Sequence, residues 1–194
     1  MTHLNHVDLC SGIGGFALAF QSIGLSEPIV FCDIEEWCRK ILQKHWPNVP
    51  VLEDVKEIAN DPDRFIPKTN WRKTILTAGY PCQPFSAAGK QKGTKDPRHI
   101  WPFIFKIVAL KKPKYCVFEN VNGHIALGLD AVLNDLESQN YAVSTSIIPA
   151  LPFRPHKRER IWIVAQHMAD TDNEGLRTRI SGSDDDNEKN GRDR

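Results

Sequence analysis

The chain has 194 residues, 41% of them hydrophobic, and a formal net charge of +1. That length suits one domain with a tail and can bury a core, while no run of about 18 apolar residues is present to suggest a membrane-spanning helix. The overall charge announces no polyanionic partner, the start MTHLNHVDLC has no secretory-signal pattern, and five cysteines without a CxxC pair suggest neither a zinc site nor a disulfide framework, so a reducing cytoplasm is expected.

Short apolar runs alternate with amphipathic segments. Residues 6–10 (HVDLC) predict a strand that ends in the glycine turn SGIGG, and residues 16–24 a helix closed by Gly24. Residues 29–34 predict a second strand, and 35–46 a helix that stops at Pro47. A short third strand is expected at 49–52 and a fourth at 74–79. A helix follows over 99–112, with Pro102 tolerated in its first turn. The fifth strand is placed at 115–121, a helix at 129–138, and the last two strands at 141–150 and 160–166. Strands alternating with helices imply an α/β fold with a mostly parallel, doubly wound sheet. With no helix between them, the last two strands imply a C-terminal antiparallel hairpin. Such sheets bind ligands at the carboxyl ends of their strands.

Composition changes near residue 167. Residues 167–194 hold five basic and eight acidic side chains, which leaves the body at +4 and the tail at −3. So polar a segment cannot bury enough surface to offset its ordering entropy. The expected organisation is a folded domain over 1–166 and a disordered tail over 167–194.

Three groups of residues carry candidate chemistry. Gly12, Gly14 and Gly15 follow the first strand, where glycines let the backbone turn and approach a ligand. Asp33 ends the second strand, where a carboxylate can accept bonds from ribose hydroxyls, and Asp54 follows the third, within reach of an adenine amino group. These residues alone do not separate S-adenosylmethionine from a nicotinamide cofactor. In the second group, Pro81 and Pro84 bracket Cys82 on a stiff turn after the fourth strand. Nearby donors and positive charge would favour its thiolate. Cys10, Cys32 and Cys116, inside apolar strands, read as structural. The run Gly89-Lys90-Gln91-Lys92-Gly93, with Lys95 and Arg98 after it, suits a mobile lid that meets phosphates. In the third group, Glu119 and Asn120 end the fifth strand, where a partly desolvated carboxyl would hold a proton more tightly. Arg158 and Arg160 lead into the last strand and share one face with His156.

Together these residues resemble the cytosine-5 DNA methyltransferase family. DLCSGIGGF at 8–16 is similar to its first motif, GYPCQPFS at 79–86 to its nucleophile motif, Glu119-Asn120-Val121 to its acid motif, and Arg158 with Arg160 to its paired arginines. The resemblance implies a Rossmann-like, S-adenosylmethionine-dependent methyltransferase fold acting on double-stranded DNA, as in restriction–modification systems. Asp8, Cys10, Gly12, Ile13, Gly14, Gly15, Asp33, Ile34, Asp54, Val55, Pro81 and Trp101 would hold the cofactor. Cys82 would be the nucleophile, with Glu119 at N3 of a flipped cytosine, Arg160 at O2, and Arg158 and Asn120 completing the catalytic set.

The chain also departs from the family pattern. His156 stands where glutamine is usual and Cys10 where an aromatic is usual, and no target-recognition segment follows the paired arginines. The expectation is a truncated or split enzyme, the latter completed by a second polypeptide that supplies recognition. An inactive cofactor-binding remnant and an RNA cytosine-5 methyltransferase stay open. A nicotinamide dehydrogenase leaves Cys82, Glu119 and Arg160 unexplained.

Overall fold

A computed structural model describes residues 3–81, 100–149 and 159–168. The strands are β1 (Leu4–Leu9), β2 (Ser26–Cys32), β3 (Val51–Leu52), β4 (Thr74–Ala78), β5 (Tyr115–Val121), β6 (Tyr141–Pro149) and β7 (Glu159–His167). The longer helices are α1 (Gly15–Ser22), α2 (Glu36–His45), α5 (Trp101–Lys111) and α7 (Leu129–Ser138). The seven strands form one sheet in the order β3-β2-β1-β4-β5-β7-β6. The first five run parallel, and β7 lies antiparallel to both neighbours. This is the expected Rossmann-like α/β sheet. The last strand does more than close a hairpin: β7 inserts between β5 and β6, pairing with β5 from Tyr115↔Gln166 to Val121↔Arg160.

Strand alternation sorts the core. Val7, Leu9, Leu76, Ala78, Phe118, Ile161 and Ile163 belong to the main apolar cluster, with Ile104, Ile107 and Val108 of α5. A smaller cluster of Ala17, Phe31 and Leu42 lies under α1 and α2. His6 and Asp8 alternate with Val7 and Leu9, and the His6 ring lies 5.4 Å from that of Phe20 in α1. They form a buried polar chain there. His6 Nε2 lies 2.7 Å from Thr77 Oγ1, which donates to Asp8 Oδ1 at 2.5 Å.

Four short elements were not anticipated: α3 (Val55–Asn60), α4 (Pro62–Phe65), α6 (His124–Leu127) and a 3-10 turn at Trp71–Lys73. None is long enough to display a helical period; α3, α4 and the 3-10 turn start at side-chain caps from Asp54, Asp61 and Asn70. Pro28 sits in β2 beside a register shift opposite His6/Val7. Proline has no N–H to donate there, and β3 pairs only with Phe31 and Cys32, so no strand bond is forfeited on that side. Among the described residues no helix is long and apolar enough to cross a membrane. The expected lid at 89–98 and the tail beyond Met168 lie outside the described residues.

Candidate active site

The carboxyl ends of the parallel strands meet at one edge of the sheet. Gly14 opens α1 with φ 86°, and a Cβ there would fall 2.6 Å from the Trp46 ring, so this position requires glycine twice over. The turn is anchored across strands. The Ser11 N–H donates to the Cys32 carbonyl at 3.0 Å, and the Gly12 N–H to Asp33 Oδ2 at 2.7 Å. Asp33 Oδ1 accepts from the Glu35 N–H at 2.9 Å, so one carboxylate shapes both the β1–α1 turn and the entry to α2.

Between these ends lies a cleft of about 450 Å³. Of the expected cofactor residues, Cys10, Gly12, Asp33, Ile34, Asp54, Val55 and Pro81 line it. Asp8, Ile13, Gly14, Gly15 and Trp101 are not among its lining. Asp8 is fully buried, because strand alternation turns it under α1. Trp101 is 6% exposed, donates from Nε1 to Asp135 at 2.7 Å and packs against Tyr80, Phe105 and Phe118; the preceding Ile100 faces the cleft instead. Gly14 and Gly15 act through the shape of the turn, and Ile13 is exposed.

Among the described residues, the cleft is lined by four carboxylates, Asp33, Glu35, Glu53 and Asp54, and one cation, Lys56. Asp54 also caps α3 through the Lys56 N–H at 2.9 Å. One organising residue escaped the sequence reading. Arg39 donates from Nη1 to the carbonyls of Asp33 (2.9 Å) and Ile34 (2.7 Å), and its Nη2 lies 3.4 Å from Glu53 Oε2. It thereby ties the end of β2 to the end of β3. Burial, with Asp33, Asp8 and Asp54 nearby, pushes the Cys10 thiol up to about 12. Burial likewise raises the Cys32 and Cys116 thiols, so all three stay protonated at neutral pH.

Beside the cleft, three strand ends converge. Arg160 of β7 donates from Nε to Glu119 Oε1 of β5 at 2.6 Å, each side chain 23% exposed. The position of a Cβ on Gly79, at the end of β4, would lie 3.7 Å from Glu119 Oε2 and 3.8 Å from the Cys10 carbonyl. Gly79 lines the cleft, so the carboxylate stands at the boundary between cleft and strand ends. Asn120, buried on the other face, donates from Nδ2 to the Tyr80 carbonyl at 3.2 Å. It accepts on Oδ1 from the Val121 N–H at 2.8 Å. Its role in the structure is to hold Tyr80-Pro81, the segment that leads directly to residue 82. Tyr80 Oη is also 3.0 Å from His124 Nε2, a second anchor that the sequence did not reveal. Cys82, His156 and Arg158 lie outside the described residues.

Comparison with known proteins gives a consistent answer. The family model for "C-5 cytosine-specific DNA methylase" matches residues 4–190. The type II methyltransferase M.HhaI of Haemophilus parahaemolyticus is 34% identical over 173 residues, covering 84% of this chain and 49% of that protein. M.HgiBI of Herpetosiphon aurantiacus is 30% identical over 173 residues, again 84% of this chain but 37% of the relative. The chain thus spans less than half the length of these curated relatives. Among solved structures, DNMT2 of Spodoptera frugiperda shares the fold with a TM-score of 0.70 at 22% identity, covering 87% of this chain and 51% of that one. Dnmt2 of S. pombe gives 0.69 at 24% identity, with 84% and 51% covered. The chain belongs to the C-5 cytosine-specific DNA methylase family.

Proposed function

We propose that this chain is the catalytic, cofactor-binding part of a DNA (cytosine-5)-methyltransferase that uses S-adenosylmethionine. The observation that carries the reading is the Glu119–Arg160 pair, held against Gly79 one tripeptide before Cys82. The acidic lining of the cleft bears on the cofactor. Four carboxylates suit a ligand with a sulfonium and an ammonium, whereas a dinucleotide would bring its pyrophosphate into like-charge repulsion. Asp33 and Asp54 would serve ribose and adenine, and Arg39 would keep their strand ends in register. S-adenosylmethionine supplies an electrophilic methyl group.

The protein's own groups would do the rest. Cytosine must leave the duplex, because C5 is out of reach within the stack. The Cys82 thiolate adds to C6, forming a C–S bond while the C5=C6 electron pair becomes nucleophilic at C5. Glu119 meets N3 and Arg160 meets O2, offsetting the charge that spreads onto the ring. Their mutual contact presets both groups for one small planar ligand. Once C5 carries the methyl group, loss of its proton re-forms the double bond and expels Cys82 as thiolate. Asn120 acts by positioning Tyr80-Pro81, and Arg158 would join Arg160 at the base.

Double-stranded DNA is the proposed partner, in keeping with the DNA methylase family to which the chain belongs. Transfer of radiolabelled methyl from S-adenosylmethionine to duplex DNA, with transfer RNA as a parallel arm, tests the reading. Cys82→Ser should abolish transfer while calorimetry shows unchanged cofactor binding. Equal transfer by both proteins refutes the mechanism. Cofactor binding without transfer to either nucleic acid identifies an inactive remnant. Transfer confined to transfer RNA moves the substrate class.

A further inference from the structure

A second concavity, about 260 Å³, lies at the opposite edge of the sheet, where β4 and β5 begin and β7 ends. Its lining includes Trp71, Arg72, Lys111, Lys112, Lys114 and His167. Three elements contribute: the 3-10 turn before β4, the end of α5 with the loop into β5, and the last residue of β7. Backbone bonds fix them together. The Lys114 N–H donates to the Trp71 carbonyl at 2.9 Å, and the His167 N–H to the Lys114 carbonyl at 3.0 Å. The cations therefore project from a braced rim. Lys111 pairs with Asp63, and the Lys114 ammonium stands 5.5 Å from the Tyr115 ring centroid.

Lys112 supplies a separate observation. It ends α5 with φ 48° and ψ 58°, the left-handed conformation in which a helix terminus normally carries glycine. The helix ends there because Pro113 follows, and the Lys112 N–H closes the last turn on the Val108 carbonyl at 2.8 Å. A cation near a helix C-terminus complements its dipole, and this one also lines the concavity.

We propose that this pocket is an anion seat for a phosphate group, and we assign the phosphate to a nucleic-acid backbone. Clustered lysine and arginine in a concavity with an aromatic wall match a phosphate with an adjoining base or sugar. The pocket is separate from the cofactor cleft: β5 runs between the two edges, seven residues at about 3.3 Å each, or roughly 20 Å. S-adenosylmethionine carries no phosphate. The seat would hold a stretch of nucleic acid other than the one presenting its base, and it stands whether or not the chain transfers methyl groups.

The test uses the full chain without cofactor. Inorganic phosphate and a short DNA duplex are titrated separately, against sodium chloride of matched ionic strength. Two-dimensional NMR follows the Trp71 indole N–H and the Lys112 amide. Both ligands should shift these signals, and the chloride control should not. Lys112→Gly and Lys112→Glu should each weaken binding by about tenfold. Their melting temperatures should separate, the glycine variant rising above the parent and the glutamate variant not, so that lost binding cannot be mistaken for lost folding. Shifts no larger than those from chloride, or parental affinity in Lys112→Glu, overturn the seat. Saturation by inorganic phosphate with no response to duplex overturns the backbone assignment in favour of a free phosphate ligand.

Discussion

Among the described residues, the linings of the two concavities carry opposite charge. At the carboxyl ends of the strands, the cleft is lined by four carboxylates and one lysine; at the amino ends, the smaller pocket is lined by three lysines, an arginine and a histidine. A net charge of +1 conceals this division. The lesson is that total charge is a poor guide to partners when a fold sorts charges by strand direction. Under the proposed function the acidic lining serves a cationic small molecule, while the base of a nucleic acid meets the neighbouring Glu119–Arg160 corner. The proposed reacting groups Glu119 and Arg160 pair with each other beside the cleft and are not part of its lining.

The largest expected effect would break the acidic edge into its two functions. Glu119→Gln should lower single-turnover methyl transfer by roughly a hundredfold to ten-thousandfold. Affinity for S-adenosylmethionine, measured by calorimetry, should hardly change, since Glu119 does not line the cleft. An equal loss of both would mean that cleft and reaction site are one unit. Next in size, Asp33→Ala removes the acceptor for two backbone N–H groups. Each such charged hydrogen bond contributes about 1.5–3 kcal/mol. Cofactor affinity should fall by roughly one to two orders of magnitude, while phosphate binding at the far edge stays as it was. A change at both edges would show that the sheet transmits the loss.

The smallest effect concerns the interior between the edges. Burial holds Asp8 up to about 7 from 3.8, so its protonated form favours the fold. That contribution is complete below 3.8 and is lost as pH rises to about 7. Burial holds His6 down to about 3 from 6.5, so its neutral form favours the fold. That contribution is complete above 6.5 and is lost as pH falls toward 3. Between 3.8 and 6.5 the two slopes oppose each other, and the pair makes stability nearly flat with pH. Asp8→Asn should unmask the histidine, and stability should then fall with acid by about 1.4 kcal/mol per pH unit. His6→Gln should tilt the profile the other way. Urea melts across that range decide the matter, and a flat profile in both variants removes the coupling.

What the sequence made legible was whatever has a period or a compact motif. The strand–helix alternation, the glycine turn and the antiparallel C-terminal hairpin followed from local pattern and connection rules, whereas the insertion of β7 between β5 and β6 did not. So did the pairing of interest: Glu119 and Arg160 sit on neighbouring strand ends and do meet. Other features depend on direction rather than identity. Asp8 looked like a cofactor ligand because it adjoins the turn, but alternation places it underneath. Trp101 and Ile100 differ by one step at the start of a helix, about 100° of rotation, and that step decides which one faces the cleft. Arg39 was missed because its guanidinium reaches back five and six residues to main-chain carbonyls, a contact no side-chain motif encodes. The two charged edges are assembled from residues scattered over several elements, so neither appears as a run in the sequence.

The insertion of β7 between β5 and β6 has a bearing on how the molecule is made. Glu119 is synthesised about forty residues before its guanidinium partner, and β5 has a bare inner edge until that partner's strand arrives. A nascent chain can close the parallel half of its sheet, with the glycine turn in place, while the base-facing corner does not yet exist. The Glu119–Arg160 contact can therefore form only after β7 has paired with β5.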